Sequence, residues 1–115
     1  MYVRSRNLFD CHIAGFAYYD GLDVINELQL GTSVSLVSDS ENPHDPDAVA
    51  IYFGETKLGY IPKAKTFYVS KHLYFGHDNI FEVKINYRNL EEHPERQFRI
   101  VVRVNDNRKR GSFDV

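Results

Sequence analysis

The sequence predicts an all-β fold, a small antiparallel barrel of about six strands with two short helices. Apolar residues alternate with polar ones in several short segments, which is typical of strands. Turn-forming glycine, proline, asparagine and aspartate separate these segments. The 115 residues are enough for one domain with its own core. Periodicity alone leaves a β-sandwich open as the alternative arrangement.

The chain divides into three parts in this prediction. Residues 1–8 lack periodicity and are expected to form an N-terminal arm, and residues 9–105 are expected to form the folded domain. Residues 106–115 contain three consecutive basic side chains without core spacing. We therefore expect a basic C-terminal tail.

The first predicted elements are a strand and a short helix. The strand is expected at residues 12–19, where Gly15 indicates a bulge or a close approach of backbone. Asp20 is the expected N-cap of a short helix at residues 22–28, whose apolar positions recur at helical spacing. Gly31 is expected to end that helix.

Three strands follow, with a shaped loop before the second. Residues 33–37 alternate serine with valine or leucine, which predicts a strand. Residues 42–47 contain two prolines and three side chains that can hydrogen-bond nearby backbone, which predicts a tight loop. The apolar residues 48–53 form the next predicted strand, residues 54–57 turn the chain, and residues 58–61 return it as a hairpin.

The second half of the chain predicts one helix and two strands. Residues 63–75 carry apolar side chains at steps of three and four, which predicts a short helix that ends at Gly76. Residues 81–87 and 98–104 alternate apolar and polar side chains, so we expect two strands. The polar residues 89–96 connect them.

Charge is distributed unevenly along the chain, although the net charge is only −2. Residues 1–62 contain three basic and nine acidic side chains, whereas residues 63–115 contain eleven basic and seven acidic ones. Contact with phosphate groups should therefore come mainly from the second half. The alternative is that these charges are ordinary solvated surface.

The sequence is typical of a cytoplasmic protein. Its single cysteine, Cys11, has no second cysteine with which to form an internal disulfide. No apolar run is long enough for a signal peptide or a membrane span, so no membrane association is expected.

Aromatic and polar side chains are concentrated on the predicted loops and strand ends. Binding of single-stranded nucleic acid requires rings on which bases stack, cations for phosphate, and acceptors for hydroxyl groups. The candidate residues are Tyr18, Tyr19, Asn42, His44, Asp45, Tyr60 and Lys63. The alternative is that Tyr18 and Tyr60 are core rings with their hydroxyls at the surface.

Three motifs occur in order along the chain: IAGFxYYDG at residues 13–21, NPxDPxAV at residues 42–49 and KLGYIP at residues 57–62. With these motifs, nearly the whole chain resembles the HIRAN domain. The resemblance implies a modified OB-like or SH3-like barrel with two helices, which agrees with the predicted order of elements. Because the usual setting of this family is a larger helicase-like or nuclease-associated protein, a separate helicase or nuclease is an expected partner.

The resemblance also implies a role, since HIRAN domains of fork-remodelling DNA translocases look like readers of the free 3′ end of single-stranded DNA. In that family an aromatic residue stacks on the terminal base and an aspartate accepts a hydrogen bond from the 3′ hydroxyl, and these roles fall on Tyr18 and Asp45. His44 occupies a position that is aromatic in some members. Tyr60 and Lys63 match positions that contact the end nucleotides and phosphate. The expected function is therefore non-enzymatic recognition of single-stranded DNA in repair or processing.

One position departs from the family pattern. Ala17 stands where a DNA-binding member carries a basic residue, so one expected phosphate contact is missing. Together with the net acidity, this favours as an alternative a protein-interaction domain that keeps the barrel and does not bind DNA.

A metal-dependent nuclease is the remote alternative. Pro46 and Asp47, followed by Glu55 and Lys57, imitate a PD…ExK arrangement, in which carboxylates hold a divalent metal and a lysine lies beside the attacking water. Glu55 and Lys57 fall on the predicted hairpin turn, whereas a metal site needs its ligands on a rigid element facing a cleft. We therefore expect no catalytic residue, no metal and no cofactor.

Overall fold

The computed structural model describes residues 5–106. It contains six strands in two antiparallel sheets, which confirms the prediction of a small all-β, OB-like fold. The strands are β1 (Ser5–His12), β2 (Ser35–Ser38), β3 (Val49–Phe53), β4 (Thr56–Tyr60), β5 (Phe81–Arg88) and β6 (Phe98–Asn105). The three basic residues of the predicted tail lie outside the described residues.

The helical segments in the described part of the chain are short. One is an α-helix, α1 (Ser70–Tyr74). The others are 3₁₀ segments at Phe16–Tyr18, Asp20–Glu27, Lys63–Tyr68, Asp78–Ile80 and Pro94–Arg96. Between residues 5 and 106, no helix has the length and apolar character needed to cross a membrane.

Backbone pairing at two seams joins the sheets into a closed barrel. The strand orders are β1-β6-β5 and β2-β3-β4. At one seam Ser33, just before β2, pairs with Lys84 of β5. At the other seam Ala14, just after β1, pairs with Tyr60 of β4, and each residue donates its N–H to the other's carbonyl at 2.9 Å. The resulting cyclic order is β1-β6-β5-β2-β3-β4, and one isolated bridge closes each seam.

The core lies inside this barrel. Seven residues of the last two strands were predicted to share one face. Five of them are buried there, namely Val83, Ile85, Phe98, Ile100 and Val102, whereas Phe81 and Val104 are half-buried. The rings of Phe16 and Phe98 pack with their centroids 5.0 Å apart. Burial of one such large apolar side chain contributes roughly 1.5–3 kcal/mol, so this cluster fixes the barrel on which the loops are mounted.

A β-bulge in β4 changes which side chains share a face. Tyr60 pairs with Ala50, but Lys57 pairs with Tyr52, so Leu58 is one extra residue in β4. In a regular strand, side chains three residues apart point to opposite faces. The extra residue reverses that alternation, and Lys57 and Tyr60 therefore meet on one side of the strand.

The first predicted elements were placed wrongly. Strand β1 begins at Ser5, and Ser5 pairs with Asn105 of β6, so residues 5–8 belong to the barrel rather than to an arm. The strand ends at His12 instead of continuing to residue 19, because Gly15 adopts φ 74° and turns the chain into a 3₁₀ segment. Asp20 is the first residue of the next 3₁₀ segment, which has no side-chain N-cap.

The helix predicted at residues 63–75 is divided into two pieces. Val69, with φ −128°, separates the 3₁₀ segment Lys63–Tyr68 from α1. Val69 and Leu73 are buried as the periodicity predicts. Phe67 and Tyr74, which share that periodicity, are 70% and 62% exposed. The break rotates the two pieces, so a single helical face does not form.

Candidate nucleic-acid interface

The loop between β2 and β3 is held by its own side chains. Asn42 Oδ1 accepts hydrogen bonds from the backbone N–H groups of His44, at 2.9 Å, and Asp45, at 3.2 Å. Asp45 Oδ1 in turn accepts one from the N–H of Asp47 at 3.0 Å. These are Asx turns, in which a side chain replaces a backbone acceptor. The structure therefore confirms the predicted shaped loop and gives Asn42 a part in holding it.

The loop borders a groove of about 280 Å³ that brings together five of the seven predicted site residues. They are Asn42, His44, Asp45, Tyr60 and Lys63, and Ala14 also lines the groove. We call this the loop groove. Three separate parts of the chain meet there: the end of β1, the β2–β3 loop and the exit from β4.

The groups that face this groove offer one acceptor and one cation. Asp45 is half-buried, and within residues 5–106 its second carboxylate oxygen takes no hydrogen bond. The side chain of Lys63 is exposed and pairs with no carboxylate in the described part of the chain. The imidazole of His44 is also exposed. A ligand in the loop groove can therefore be met by a carboxylate oxygen, an ammonium group and a flat ring.

Tyr60 forms one wall of the groove, and its hydroxyl is already bonded. That hydroxyl donates to Asp39 Oδ2 at 2.7 Å and accepts from Lys57 Nζ at 2.6 Å. Burial, then the bond to Asp39, raises the pKa of Tyr60, while Lys57 opposes the rise. Partial burial works against the charge on Lys57, but the bond to Tyr60 and the nearby tyrosine hydroxyls outweigh it and raise the pKa of that lysine. At neutral pH, Tyr60 is therefore a neutral phenol and Lys57 a cation.

The other two predicted residues, Tyr18 and Tyr19, lie outside the groove lining and differ from each other. Tyr18 is 84% exposed at the end of the turn that follows Ala14, so it is not a core ring. Tyr19 is half-buried, and its ring lies edge-on to that of Tyr60 with centroids 5.6 Å apart. Lys57 Nζ lies 4.7 Å from the Tyr19 centroid and 4.3 Å from the Tyr60 centroid. Tyr19 therefore supports the groove wall, whereas the ring of Tyr18 is free to stack.

Sequence reasoning missed Glu95. Its carboxylate accepts the N–H of Gly15 through both oxygens, at 2.8 and 3.2 Å, across 80 residues of chain. Gly15 begins the turn that ends at Tyr18, and the Tyr18 N–H donates to the Gly15 carbonyl at 2.9 Å. Glu95 therefore holds the turn that presents Tyr18. Only its place in a polar connection next to Pro94 was visible in the sequence.

Asp39 and Lys57 were also missed as parts of this site. Lys57 lies within the KLGYIP motif, but its position beside Tyr60 depends on the bulge in β4, which has no clear signal in the sequence. Asp39 was visible only as one of several acidic residues near the loop.

The residues of the nuclease alternative and Cys11 lie outside the loop groove lining. Glu55 is exposed at the turn between β3 and β4, and Lys57 is bonded to Tyr60. Within residues 5–106, no three His, Cys, Asp or Glu side chains are grouped so as to hold a metal ion. Cys11 is buried, and that burial raises the pKa of its thiol to about 12. At neutral pH the thiol is therefore protonated and a poor nucleophile.

Two solved structures share this fold. A protein from Lactobacillus plantarum superposes with a TM-score of 0.71 at 18% identity, covering 90% of this chain and 96% of that one. The HIRAN domain of human HLTF superposes with a TM-score of 0.61 at 16% identity, covering 88% of this chain and 74% of that one. No match was found among curated proteins.

The model of one protein family, described as the HIRAN domain, matches residues 7–105. The match confirms the resemblance carried by the three motifs. HIRAN domains are binding domains and not a family of enzymes. Because the match spans nearly the whole chain, this protein belongs to the HIRAN domain family, whose members are nucleic-acid-binding modules.

Proposed function

We propose that this chain binds single-stranded DNA at its free 3′ end, without catalysis, in DNA repair or processing. The observation that carries the proposal is the loop groove, where an acceptor (Asp45), a cation (Lys63) and a flat ring (His44) meet. Recognition of a single strand needs these three kinds of group. In this proposal the barrel, residues 5–105, forms the binding domain, and a separate helicase or nuclease acts on the DNA.

Stacking in this proposal comes from two exposed rings. Tyr18 and His44 lie on different segments of the chain, and neither ring is packed into the core. A base stacked on an aromatic side chain contributes roughly 1–3 kcal/mol. Ordering an exposed side chain costs part of that gain, and the Glu95 clamp on the turn before Tyr18 reduces this cost.

Phosphate contact is assigned to Lys63, with Lys57 as a nearby charge. Ala17 provides no cation where some family members have one. Lys57 is held against Tyr60, which lines the groove, and stays protonated at neutral pH. Its fixed position supports a role in offsetting the missing charge.

Asp45 is proposed to read the end of the strand. Its unbonded carboxylate oxygen can accept a hydrogen bond from a 3′ hydroxyl, whereas a 3′ phosphate would bring like charges together in a partly desolvated groove. A carboxylate beside a phosphate backbone otherwise weakens binding. Discrimination between a 3′ hydroxyl and a 3′ phosphate would explain why a carboxylate lies in a DNA-binding groove.

The test is fluorescence polarisation with a single-stranded oligonucleotide carrying either a 3′ hydroxyl or a 3′ phosphate, and with a blunt duplex. We expect the 3′-hydroxyl strand to bind tightest. Tyr18→Ala should weaken that binding by roughly 5- to 150-fold, the equivalent of one lost stack. Asp45→Asn keeps the Asx turn but removes the charge, so the preference for the hydroxyl over the phosphate should shrink.

Asp23→Asn is the control for Asp45→Asn, because it removes the same charge from an exposed aspartate on another segment, Asp20–Glu27. This variant should keep the full preference for the hydroxyl. Equal affinities of the wild-type protein for the two kinds of end would rule out end recognition. Absence of binding to any of the three DNAs would favour the protein-interaction alternative.

A further inference from the structure

A second groove, of about 430 Å³, is lined by residues of the β2–β3 loop and of α1. The lining residues that matter here are Pro46, Asp47, Ser70, Lys71, Tyr74 and Phe75. We call it the ring groove. Its volume falls within the range of roughly 300–1,000 Å³ typical of ligand sites. None of these six residues was assigned a role in the loop groove.

Two aromatic rings give the ring groove its character. Tyr74 is 62% exposed and Phe75 is 68% exposed. Their centroids lie 5.0 Å apart with the planes at 87°. They lie at the end of α1, whose buried residues are Ser70 and Leu73, so the two rings have no place in the core. Adjacent exposed rings of this kind are costly in water and are typical of stacking platforms for bases.

The remaining lining is mostly polar and carries one free cation and one carboxylate, that of Asp47. Three serine hydroxyls line the groove together with Lys71, which forms no salt bridge within residues 5–106. Lysine and serine are depleted in protein–protein interfaces, whereas rings next to cations and hydroxyls suit a nucleotide. The chemistry of the lining therefore favours a nucleic-acid strand over a protein partner.

The linings of the two grooves include neighbouring residues of the same loop. His44 and Asp45 line the loop groove, and the next two residues of the same loop, Pro46 and Asp47, line the ring groove. The chain that follows β4 also contributes to both linings. Lys63 lines the loop groove, and Lys71 of α1 lines the ring groove. A strand whose end lies in the loop groove would meet the ring groove as it crosses this loop.

We infer that the ring groove is a second subsite, in which Tyr74 and Phe75 stack bases upstream of the 3′ end and Lys71 contacts their phosphate. The inference rests on the proposed function and extends the bound length of the strand beyond the terminal nucleotides. The loop groove would then read the end, and the ring groove would add affinity that does not depend on the end.

The test compares a trinucleotide and a nonanucleotide of thymidine, both with a 3′ hydroxyl, binding to the full chain in calorimetric titrations. The wild-type protein should bind the longer strand more tightly. The double variant Tyr74→Ala/Phe75→Ala should bind the nonanucleotide at least about tenfold more weakly, because stacking is lost, and should keep the trinucleotide affinity. Lys71→Gln should lower the salt dependence of nonanucleotide binding by about 0.7 in the log–log slope.

Phe67→Ala is the matched control, since Phe67 is 70% exposed on the preceding 3₁₀ segment and lines neither groove. It should leave both affinities unchanged. Circular dichroism of each variant checks the fold.

Two results would overturn the second subsite while leaving the proposed function intact. One is a double variant that binds the nonanucleotide as tightly as the wild type does, while Asp45→Ala weakens the binding of both oligonucleotides. The other is a wild-type chain that self-associates in sedimentation, together with a double variant that stays monomeric and binds both oligonucleotides as before. The ring groove would then be an interface between copies of the chain. If the wild-type chain binds neither oligonucleotide, the proposed function fails together with the second subsite.

Discussion

At the scale of single residues, Tyr60 connects the groove wall to the loop. Its hydroxyl is bonded to both Asp39 and Lys57, and its ring supports Tyr19. Asn42 Nδ2 also donates to Asp39 Oδ2, at 3.4 Å, so the same carboxylate links the wall to the Asx turns. One hydroxyl therefore helps to fix the distance between the loop and β4.

Tyr60→Phe keeps the ring and removes that hydroxyl. We expect a loss of about 1–2 kcal/mol in the free energy of unfolding at pH 7, measured by urea denaturation. The pKa values of Tyr60 and Lys57 are both raised in the folded chain. Their contribution to the free energy of unfolding is therefore present below about pH 10 and is lost as the pH rises through the pKa values of the folded state. The difference between wild type and variant should shrink accordingly at alkaline pH.

Tyr87→Phe is the control for this substitution. Tyr87 also donates its hydroxyl to a carboxylate, that of Glu92, at 2.8 Å, but at an exposed site. The variant should lose less than about 0.5 kcal/mol. Equal losses in the free energy of unfolding would mean that the Tyr60 hydroxyl contributes no more to stability than an exposed tyrosine hydroxyl does.

At the scale of elements, the seam between β1 and β4 decides whether the barrel closes beside the loop groove. Ala14 pairs with Tyr60 there, and Gly59, with φ 155°, lies directly beneath the crossing backbone. A Cβ atom on Gly59 would stand 2.4 Å from the Ala14 carbonyl oxygen and 2.8 Å from Ile13 Cγ2. The glycine of the KLGYIP motif is therefore explained by the close approach of two strands.

Gly59→Ala should open this seam. Because the nearest atom belongs to backbone and cannot move away cheaply, we expect a loss of more than about 3 kcal/mol in the free energy of unfolding, or failure to fold. Gly31→Ala is the comparison, since Gly31 has φ 86° but nothing within 4 Å of the added atom. That change should cost only about 1–2 kcal/mol, from backbone strain alone. Similar losses in thermal denaturation of the two variants would contradict the steric explanation.

At the scale of the whole molecule, the barrel places residues from the acidic first half of the chain, residues 1–62, beside residues from the basic second half, residues 63–115. The loop groove receives Asp45 from one half and Lys63 from the other. Nucleic-acid affinity in this arrangement depends on a few placed cations rather than on a broad basic surface. That agrees with a net charge of −2.

Binding to single-stranded DNA should therefore weaken with salt, but with a shallow slope. Each neutralised phosphate contributes about −0.7 to the slope of log affinity against log salt concentration. Lys63→Gln should reduce the slope by about that amount, whereas Arg6→Gln, an exposed cation on β1, should leave it unchanged. Polarisation titrations measure this slope at salt concentrations between roughly 50 and 200 mM, the range over which counterion release is usually followed. A slope that Lys63→Gln leaves unaltered would remove this lysine from the phosphate contact.

Much of the fold was visible in the sequence because local patterns decide it. Alternation predicted strands β5 and β6, and the prolines and Asx side chains predicted the loop at residues 42–47. The groove residues of the NPxDPxAV and KLGYIP motifs were predicted as candidates because motifs carry them together. Contacts that depend on register were not visible: the bulge that brings Lys57 to Tyr60, and the bond from Gly15 to Glu95.

The pairing of the first strand with the last has a mechanical consequence. Ser5 lies opposite Asn105, and the pairs then run inward to His12 opposite Arg99. A tension applied between these two ends would load the ladder at one edge, so its hydrogen bonds would break one after another instead of all at once. Peeling of β1 would finish next to Ala14, where the strand joins the loop groove, and a pull on the flanking chain would thereby release whatever the groove holds.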